Sequence, residues 1–241
     1  MSSATITTSA RLMNSTPQTE EQAMVRKVAV SSFLGNFIEW FDYASYSYFA
    51  TTIALVFFPT DNHTVAMLQT FGVFALSFIL RPIGALFWGS YGDKKGRKAA
   101  LAHSIMFMSG ASFLIGCLPS YSVIGVGAPI LLLLLRMVQG FSASGEYAGA
   151  ATFLGEYAPT SKRGIYCSLI PASTAIGLLA GSTLATLMTA NMNSSAMVGW
   201  GWRVPFLLAG PLGLIVLYIR AKLADSPVYE SMNDALESKG A

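Results

Sequence analysis

The chain has 241 residues, of which 53% are hydrophobic and 11% are charged, and its mean hydropathy is +0.53. Soluble domains carry about 25% charged residues, so this composition excludes an ordinary soluble globular protein. Two cysteines exclude a disulfide scaffold, and a formal net charge of +3 is too small for a basic nucleic-acid-binding surface. We therefore expect a membrane protein without a nucleic-acid partner.

The N-terminal residues 1–27 are rich in serine and threonine and contain no apolar run. We predict that they form a disordered cytoplasmic tail. The apolar segment that follows, 28–58, contains Glu39 and Asp42 and is too long for the core of a signal peptide. It is therefore predicted to be a retained first membrane span.

Apolar stretches of membrane-spanning length occur six times along the chain. They lie at about 28–58, 65–91, 99–118, 122–155, 165–190 and 201–222. If six spans alternate in direction, twelve of the fifteen lysines and arginines lie at one face. Arg220 is one of these twelve. The positive-inside rule places that face and both termini in the cytoplasm. We predict an all-α polytopic membrane protein, with a six-helix transmembrane domain over 28–222 and a cytoplasmic polar segment over 223–241.

The junction between the second and third spans reads GSYGDKKGRK and begins at Gly89. Gly89 and Gly96 permit a tight turn and a close approach of helices, and Asp93 can pair with a neighbouring helix end. Arg97 and Lys98 add positive charge at the cytoplasmic face. We interpret this loop as a conformational switch between moving helices, and the alternative is an ordinary basic cytoplasmic loop.

This loop resembles the signature loop of the major facilitator superfamily. Four further segments resemble the metabolite–proton symporters of that superfamily: GNFIEWFDY from residue 35, RPIG from 81, RMVQGFSASGEY from 136 and GWGWRVPF from 199. Through GEYAGAATFLGEYAPTSKRG from residue 145, the chain is most similar to the proline and glycine-betaine transporters. Dicarboxylate, citrate and shikimate transporters share much of the same pattern, so these substrates remain an alternative.

The resemblance implies a secondary transporter of the inner membrane that imports a small metabolite with protons. The proton gradient would be the energy source, and no cofactor or metal is expected. Such transporters have two six-helix halves around a central site, and this chain resembles the N-terminal half. The expected partners are therefore the substrate, protons, the lipid bilayer, and a missing C-terminal half or a second copy. The alternative is a truncated or split-gene fragment without transport of its own.

Five ionisable residues fall within the predicted spans, and each is a functional candidate because a charge in the membrane is costly. They are Glu39, Asp42, Arg81, Arg136 and Glu146. Counting about 1.5 Å per residue, Glu39 and Arg81 reach similar depths and can pair, whereas Arg136 and Glu146 lie about 15 Å apart along one helix.

Either arginine could bind a substrate carboxylate through two hydrogen bonds. The three acids are candidates for carrying the proton, because removing a carboxylate from water favours its neutral form. Three acids facing two bases leave one acid without a basic partner, which favours at least one titrating carboxyl. The alternative is a set of ion pairs that only orients the helices.

Aromatic residues lie beside the two acids of the first span. Trp40, Phe41 and Tyr43 could offer ring faces to a betaine-type cation, so they are candidates for lining the substrate cavity. Gly177 and Gly181 have the spacing of a helix-packing motif. No nucleophile–base pair or metal-ligand cluster is present in the sequence pattern, so we expect a protein that is not an enzyme.

Overall fold

The computed structural model of the chain describes residues 15–223, 229 and 231, and this part consists of helices joined by turns. Its helices are α1 (Ser15–Tyr48), α2 (Ala50–Phe57), α3 (His63–Ile79), α4 (Arg81–Lys95), α5 (Arg97–Cys117), α6 (Tyr121–Ile124), α7 (Gly127–Ala143), α8 (Glu146–Tyr157), α9 (Arg163–Cys167), α10 (Leu169–Asn191), α11 (Ser194–Gly199) and α12 (Val204–Ala221). Short 3₁₀ segments cover Thr160–Lys162 and Gly201–Arg203.

Five helical regions of the described residues are long and apolar enough to cross a membrane: His63–Lys95, Arg97–Cys117, Gly127–Tyr157, Thr160–Asn191 and Gly201–Ala221. They correspond to the second to sixth predicted spans. The first predicted span, α1 with α2, is also long. It is not one of these five regions, and it contains buried polar and charged residues such as Asn36 and Glu39.

Two helix ends differ from the sequence prediction. α1 begins at Ser15, so residues 15–27 are helical where we predicted a disordered tail. Pro17 lies in the first turn, where its missing N–H removes no helical hydrogen bond. The remainder of that tail lies outside the described residues, as does most of 223–241. The predicted loop between the second and third spans is also mainly helical, because α4 continues to Lys95 and only Gly96 separates it from α5.

The fifth span packs closely along the first. Gly177 and Gly181 face α1, and a Cβ added at Gly181 would lie 2.6 Å from the Cβ of Ala44. Asn36 of α1 crosses this contact: its Nδ2 donates to the Ile170 carbonyl at 3.0 Å and to Ser173 Oγ at 2.8 Å. The packing role predicted for the two glycines is therefore confirmed.

Apolar clusters fill both ends of the bundle. One contains Val28, Leu101 and Phe153, and the other contains Phe57 and Trp202. A smaller cluster around Ile38 and Ile105 lies between them. Apart from the partly exposed Arg81, the charged side chains that form ion pairs between the spans are buried, so their hydrogen-bond partners must lie inside the protein.

Candidate functional site

Three ion pairs are buried within the described membrane-spanning helices. They are Glu39–Arg81, Asp42–Arg136 and Glu146–Arg220. Glu39 and Asp42 are three residues apart on α1 and therefore share one face with Tyr43 and Tyr46. That face meets the second and fourth spans, which supply the arginines of the first two pairs.

In the first pair, Arg81 Nη2 lies 2.6 Å from Glu39 Oε1, and the same nitrogen donates to the hydroxyl of Tyr43. The guanidinium carbon lies 5.0 Å from the ring centroid of Tyr43 and 4.6 Å from that of Phe78. The Glu39 side chain is 2% exposed and that of Arg81 is 27% exposed. The predicted pairing of Glu39 with Arg81 is confirmed, and the arginine is the part of the pair that reaches the surface.

This first pair leaves polar atoms unused. Glu39 Oε2, Arg81 Nε and Trp40 Nε1 are all buried, and none has a hydrogen-bond partner among the described residues. The Trp40 ring meets Tyr43 edge-on at 5.8 Å between centroids. The ion pair itself therefore retains one carboxylate oxygen and one guanidinium N–H without partners in the described part of the chain.

Phe41 does not belong to this group. It lies two residues from both Glu39 and Tyr43, which places it on the opposite side of α1. Its ring stacks on Phe37 at 5.9 Å, and its backbone contacts α10 near Gly177. Of the three aromatic candidates for the substrate cavity, the structure therefore brings Tyr43 to the first pair. Trp40 contacts the ring of Tyr43, and Phe41 packs against the fifth span.

The second pair, Asp42–Arg136, is almost completely enclosed. Arg136 Nη1 lies 2.8 Å from Asp42 Oδ2, and the two side chains are 0% and 5% exposed. Ser112 Oγ and Gln139 Nε2 donate to Asp42 Oδ1 at 2.9 and 3.1 Å. The guanidinium also lies over the Tyr46 ring, 3.8 Å from its centroid. This aspartate therefore accepts hydrogen bonds from three other side chains.

The third pair overturns one sequence prediction. We predicted that one of the three acids lacks a basic partner, but Glu146 pairs with Arg220, which the loop count had assigned to the cytoplasmic face. Arg220 Nη1 donates to Glu146 Oε2 at 3.0 Å, and Nη2 donates to Oε1, so the pair is bidentate. Ser104 adds a hydrogen bond to Glu146 at 3.2 Å. As predicted, Glu146 does not pair with Arg136.

Arg220 also connects several helices. Its Nε donates to Ser31 Oγ at 3.2 Å, and its Nη1 donates to the Leu101 carbonyl. Gly35 on α1 leaves the space for this arrangement, because a Cβ there would overlap Glu146 Oε1 and Arg220 Nη2. The sequence contained a signal for Arg220 that the loop count missed: it continues the buried stripe of α12 at three- and four-residue spacing, which includes Gly213 and Val216.

The predicted switch loop is a short junction at the end of α4. Gly96 adopts φ +94°, a conformation that glycine favours, and so the expected tight turn is present. Asp93 and Arg97 form an ion pair across it at 2.9 Å, with the Asp93 side chain 66% exposed. A Cβ added at Gly89 would contact nothing, and Lys98 lies half-buried in the first turn of α5. A switching role for this junction stays a prediction.

Comparison with known proteins defines the class. Residues 27–240 match the family model described as "Sugar (and other) transporter", and the chain belongs to this family of membrane transporters. It is 42% identical over 217 residues to the proline/betaine transporter of Salmonella typhimurium, a match that covers 90% of this chain and 43% of that protein. Identity and coverage are the same for the glycine betaine/proline/ectoine/pipecolic acid transporter OusA of Dickeya dadantii.

Solved structures show the same fold. The partially occluded inward-open form of the xylose transporter XylE from E. coli superposes with a TM-score of 0.78 at 17% identity, over 87% of this chain and 52% of that one. The proton:xylose symporter XylE bound to 6-bromo-6-deoxy-D-glucose gives a TM-score of 0.77 at 16% identity. Together with the family match and the named relatives, this fold confirms the predicted membership of the major facilitator superfamily, the all-α six-helix half and the non-enzymatic class. The chain spans less than half the length of the curated relatives it matches.

Proposed function

We propose that this chain is one six-helix half of a proton-coupled secondary transporter for a small zwitterion such as proline or glycine betaine. The observation that carries the proposal is the pair of acids on one face of α1, each buried beside an arginine from another span. Ionisable groups inside a membrane are costly and are retained where they serve transport. The relatives at 42% identity are named as transporters of proline and betaine, which favours these solutes over dicarboxylates as substrates.

The proposed location is the inner membrane, with both termini in the cytoplasm. The support is the distribution of basic residues, since Lys94, Lys95 and Arg97 surround the α4–α5 junction and Lys162 and Arg163 surround the start of α9. In six antiparallel spans, both junctions lie at the same face as the N terminus, and basic junctions favour the cytoplasm.

A second six-helix unit is proposed as the partner. Transporters of this class bind substrate between two halves, and the relatives are more than twice as long as the matched region. The second unit would be either a separate C-terminal half or another copy of this chain. It would provide the other wall of a cavity in which Arg81 meets the substrate, since Arg81 is the most exposed arginine of the three buried pairs.

Uptake by transport-deficient cells that express residues 1–241 tests this function. The labelled solutes are proline, glycine betaine and α-ketoglutarate, with and without a protonophore. Concentrative uptake of proline or betaine that the protonophore abolishes is the expected result. Uptake of α-ketoglutarate alone would support a dicarboxylate transporter, and accumulation that follows a sodium gradient would refute proton coupling.

The control is the same chain with Lys222→Ala, at an exposed position near the end of α12, expressed to the same level in the membrane. Its uptake should equal that of the wild type. If neither chain transports any of the three solutes although both are in the membrane, the chain is not a transporter by itself, and the fragment alternative is supported.

A further inference from the structure

We propose that Arg81 is an exchange site, at which the carboxylate of the substrate displaces Glu39 and the displaced Glu39 binds the transported proton. This inference rests on the function proposed above and deepens it, because it assigns substrate binding and proton binding to two members of one ion pair. The substrate class it requires is a small solute with a carboxylate.

The first support is the incomplete bonding of the pair. Glu39 contacts Arg81 through a single oxygen, and the nitrogen involved, Nη2, also donates to Tyr43. Carboxylates bind a guanidinium most strongly through two parallel hydrogen bonds. Arg81 Nε has no partner among the described residues, so the guanidinium retains donor capacity that a second carboxylate could use.

The second support is the difference in exposure within the pair. Arg81 is 27% exposed, whereas Glu39 is 2% exposed. A solute can therefore reach the arginine while the glutamate stays enclosed.

Proton binding follows from the loss of the arginine. A carboxylate that is buried without a cation is unstable, and it becomes neutral by binding a proton. Glu39 Oε2, which has no partner in the described part of the chain, is the atom available for that proton. The proton comes from the aqueous side to which the site is open, and it leaves when the substrate departs and Glu39 returns to Arg81. One carboxylate replaces another at Arg81, so one proton binds per substrate.

The surrounding ionisable groups are consistent with this assignment. Arg81 and Tyr43 lie beside Glu39, and Asp42 and Glu146 are the other charged groups that act on it. Asp42 and Glu146 each have their own arginine, with several further hydrogen bonds. Neither can take the place of Glu39 at Arg81 without losing a nearly complete set of partners.

Infrared difference spectroscopy of the 241-residue chain in lipid nanodiscs tests the exchange. Addition of glycine betaine should produce the carbonyl-stretch band of a protonated carboxyl group and a matching loss of carboxylate absorption. Choline, which has the same cation but no carboxylate, should produce no such band. In Glu39→Gln the band should disappear while calorimetry still detects betaine binding, and in the control Glu156→Gln it should remain.

A second measurement needs no variant. With wild-type chain in weakly buffered solution, a pH-indicating dye should report one proton taken up for each betaine bound. Binding without proton uptake, or a protonated-carboxyl band that persists in Glu39→Gln or appears with choline, would overturn the exchange and leave the proposed transport function standing. Failure of wild-type chain to bind either betaine or proline would overturn both.

Discussion

Two ion pairs in this protein each join an arginine to a buried glutamate. They differ in how many of their donor and acceptor atoms are hydrogen-bonded and in how exposed the arginine is. Arg220 uses all three of its nitrogens, contacts both oxygens of Glu146 and is 1% exposed. Arg81 contacts one oxygen of Glu39, leaves Nε without a partner in the described residues and is 27% exposed. The first arrangement fixes the helices, and the second leaves capacity for a ligand.

The comparison shows that a charge in a membrane span does not by itself indicate substrate binding or proton transfer. A buried pair with every donor and acceptor satisfied is costly to open, because each separated charge would lose all of its partners at once. A pair with unsatisfied atoms and an exposed member can exchange one partner for another. Unpaired donors alone do not separate the pairs, because Arg136 Nε and Nη2 also lack partners among the described residues while Arg136 is 0% exposed. Arg81 is the arginine of the three pairs that combines an unpaired donor with an exposed side chain.

The largest expected effect is at Arg220. Arg220→Ala leaves Glu146 buried without a cation, and removing one partner of a buried pair costs about 3–5 kcal/mol. We expect the free energy of unfolding, measured by SDS titration in micelles, to fall by that amount. The control is Lys222→Ala, because Lys222 is exposed and its ammonium only lies 4.3 Å from the Tyr218 ring centroid. Equal stability of the two variants would remove the distinction between the two kinds of pair.

Ser112→Ala tests the bonding around Asp42. It removes a hydrogen bond to a charged acceptor, and such bonds contribute about 1.5–3 kcal/mol. The matched control is Ser109→Ala on the same helix, whose buried hydroxyl bonds only to the Ile105 carbonyl. That loss should cost about 0.5–1.5 kcal/mol. A Ser109 variant that is the less stable of the two in the same titration would argue against a tightly bound Asp42.

Gly35→Ala examines the space around the third pair. The added methyl group would overlap Glu146 and Arg220, so we expect a loss of about 1–3 kcal/mol, typical of overpacked interiors. At Gly110, inside α5, an added Cβ meets nothing within 4 Å. Gly110→Ala should be neutral or stabilising by up to about 1 kcal/mol, because alanine favours the helix. Similar thermal midpoints for the two variants would contradict the tight packing at Gly35.

The smallest expected effect is at the α4–α5 junction. Asp93 and Arg97 form an exposed pair, and exposed pairs contribute about 0–1 kcal/mol. Asp93→Asn should therefore leave the unfolding curve almost unchanged in the chain alone. A loss similar to that of Arg220→Ala would show that this junction has a structural role in the isolated half that its exposure does not indicate.

Two sequence patterns predict much of the architecture. Apolar runs of about 20 residues locate the spans, and the similar depth of Glu39 and Arg81 predicts their pairing. Arg220 was missed because its position near a helix end made it look like an interfacial anchor. Only the stripe of buried residues along α12 indicates that its side chain points inward.

Other features depend on contacts that one sequence does not contain. Ser112 and Gln139 come from different helices to reach Asp42, and their hydroxyl and amide groups resemble many other polar groups in the spans. The position of Phe41, by contrast, could have been predicted. Its two-residue separation from both Glu39 and Tyr43 places it on the other side of the helix, where it packs against α10.

The most direct test of the distinction between fixed and exchangeable pairs is arginine modification by phenylglyoxal in the folded, membrane-embedded chain, followed by peptide mass spectrometry. Exposed Arg163 serves as the internal reference for a fully reactive side chain. We predict that Arg81 reacts and that glycine betaine slows this reaction, while Arg136 and Arg220 react only after unfolding. Modification of Arg220 at the rate of Arg81, or no reaction of Arg81, would contradict the account.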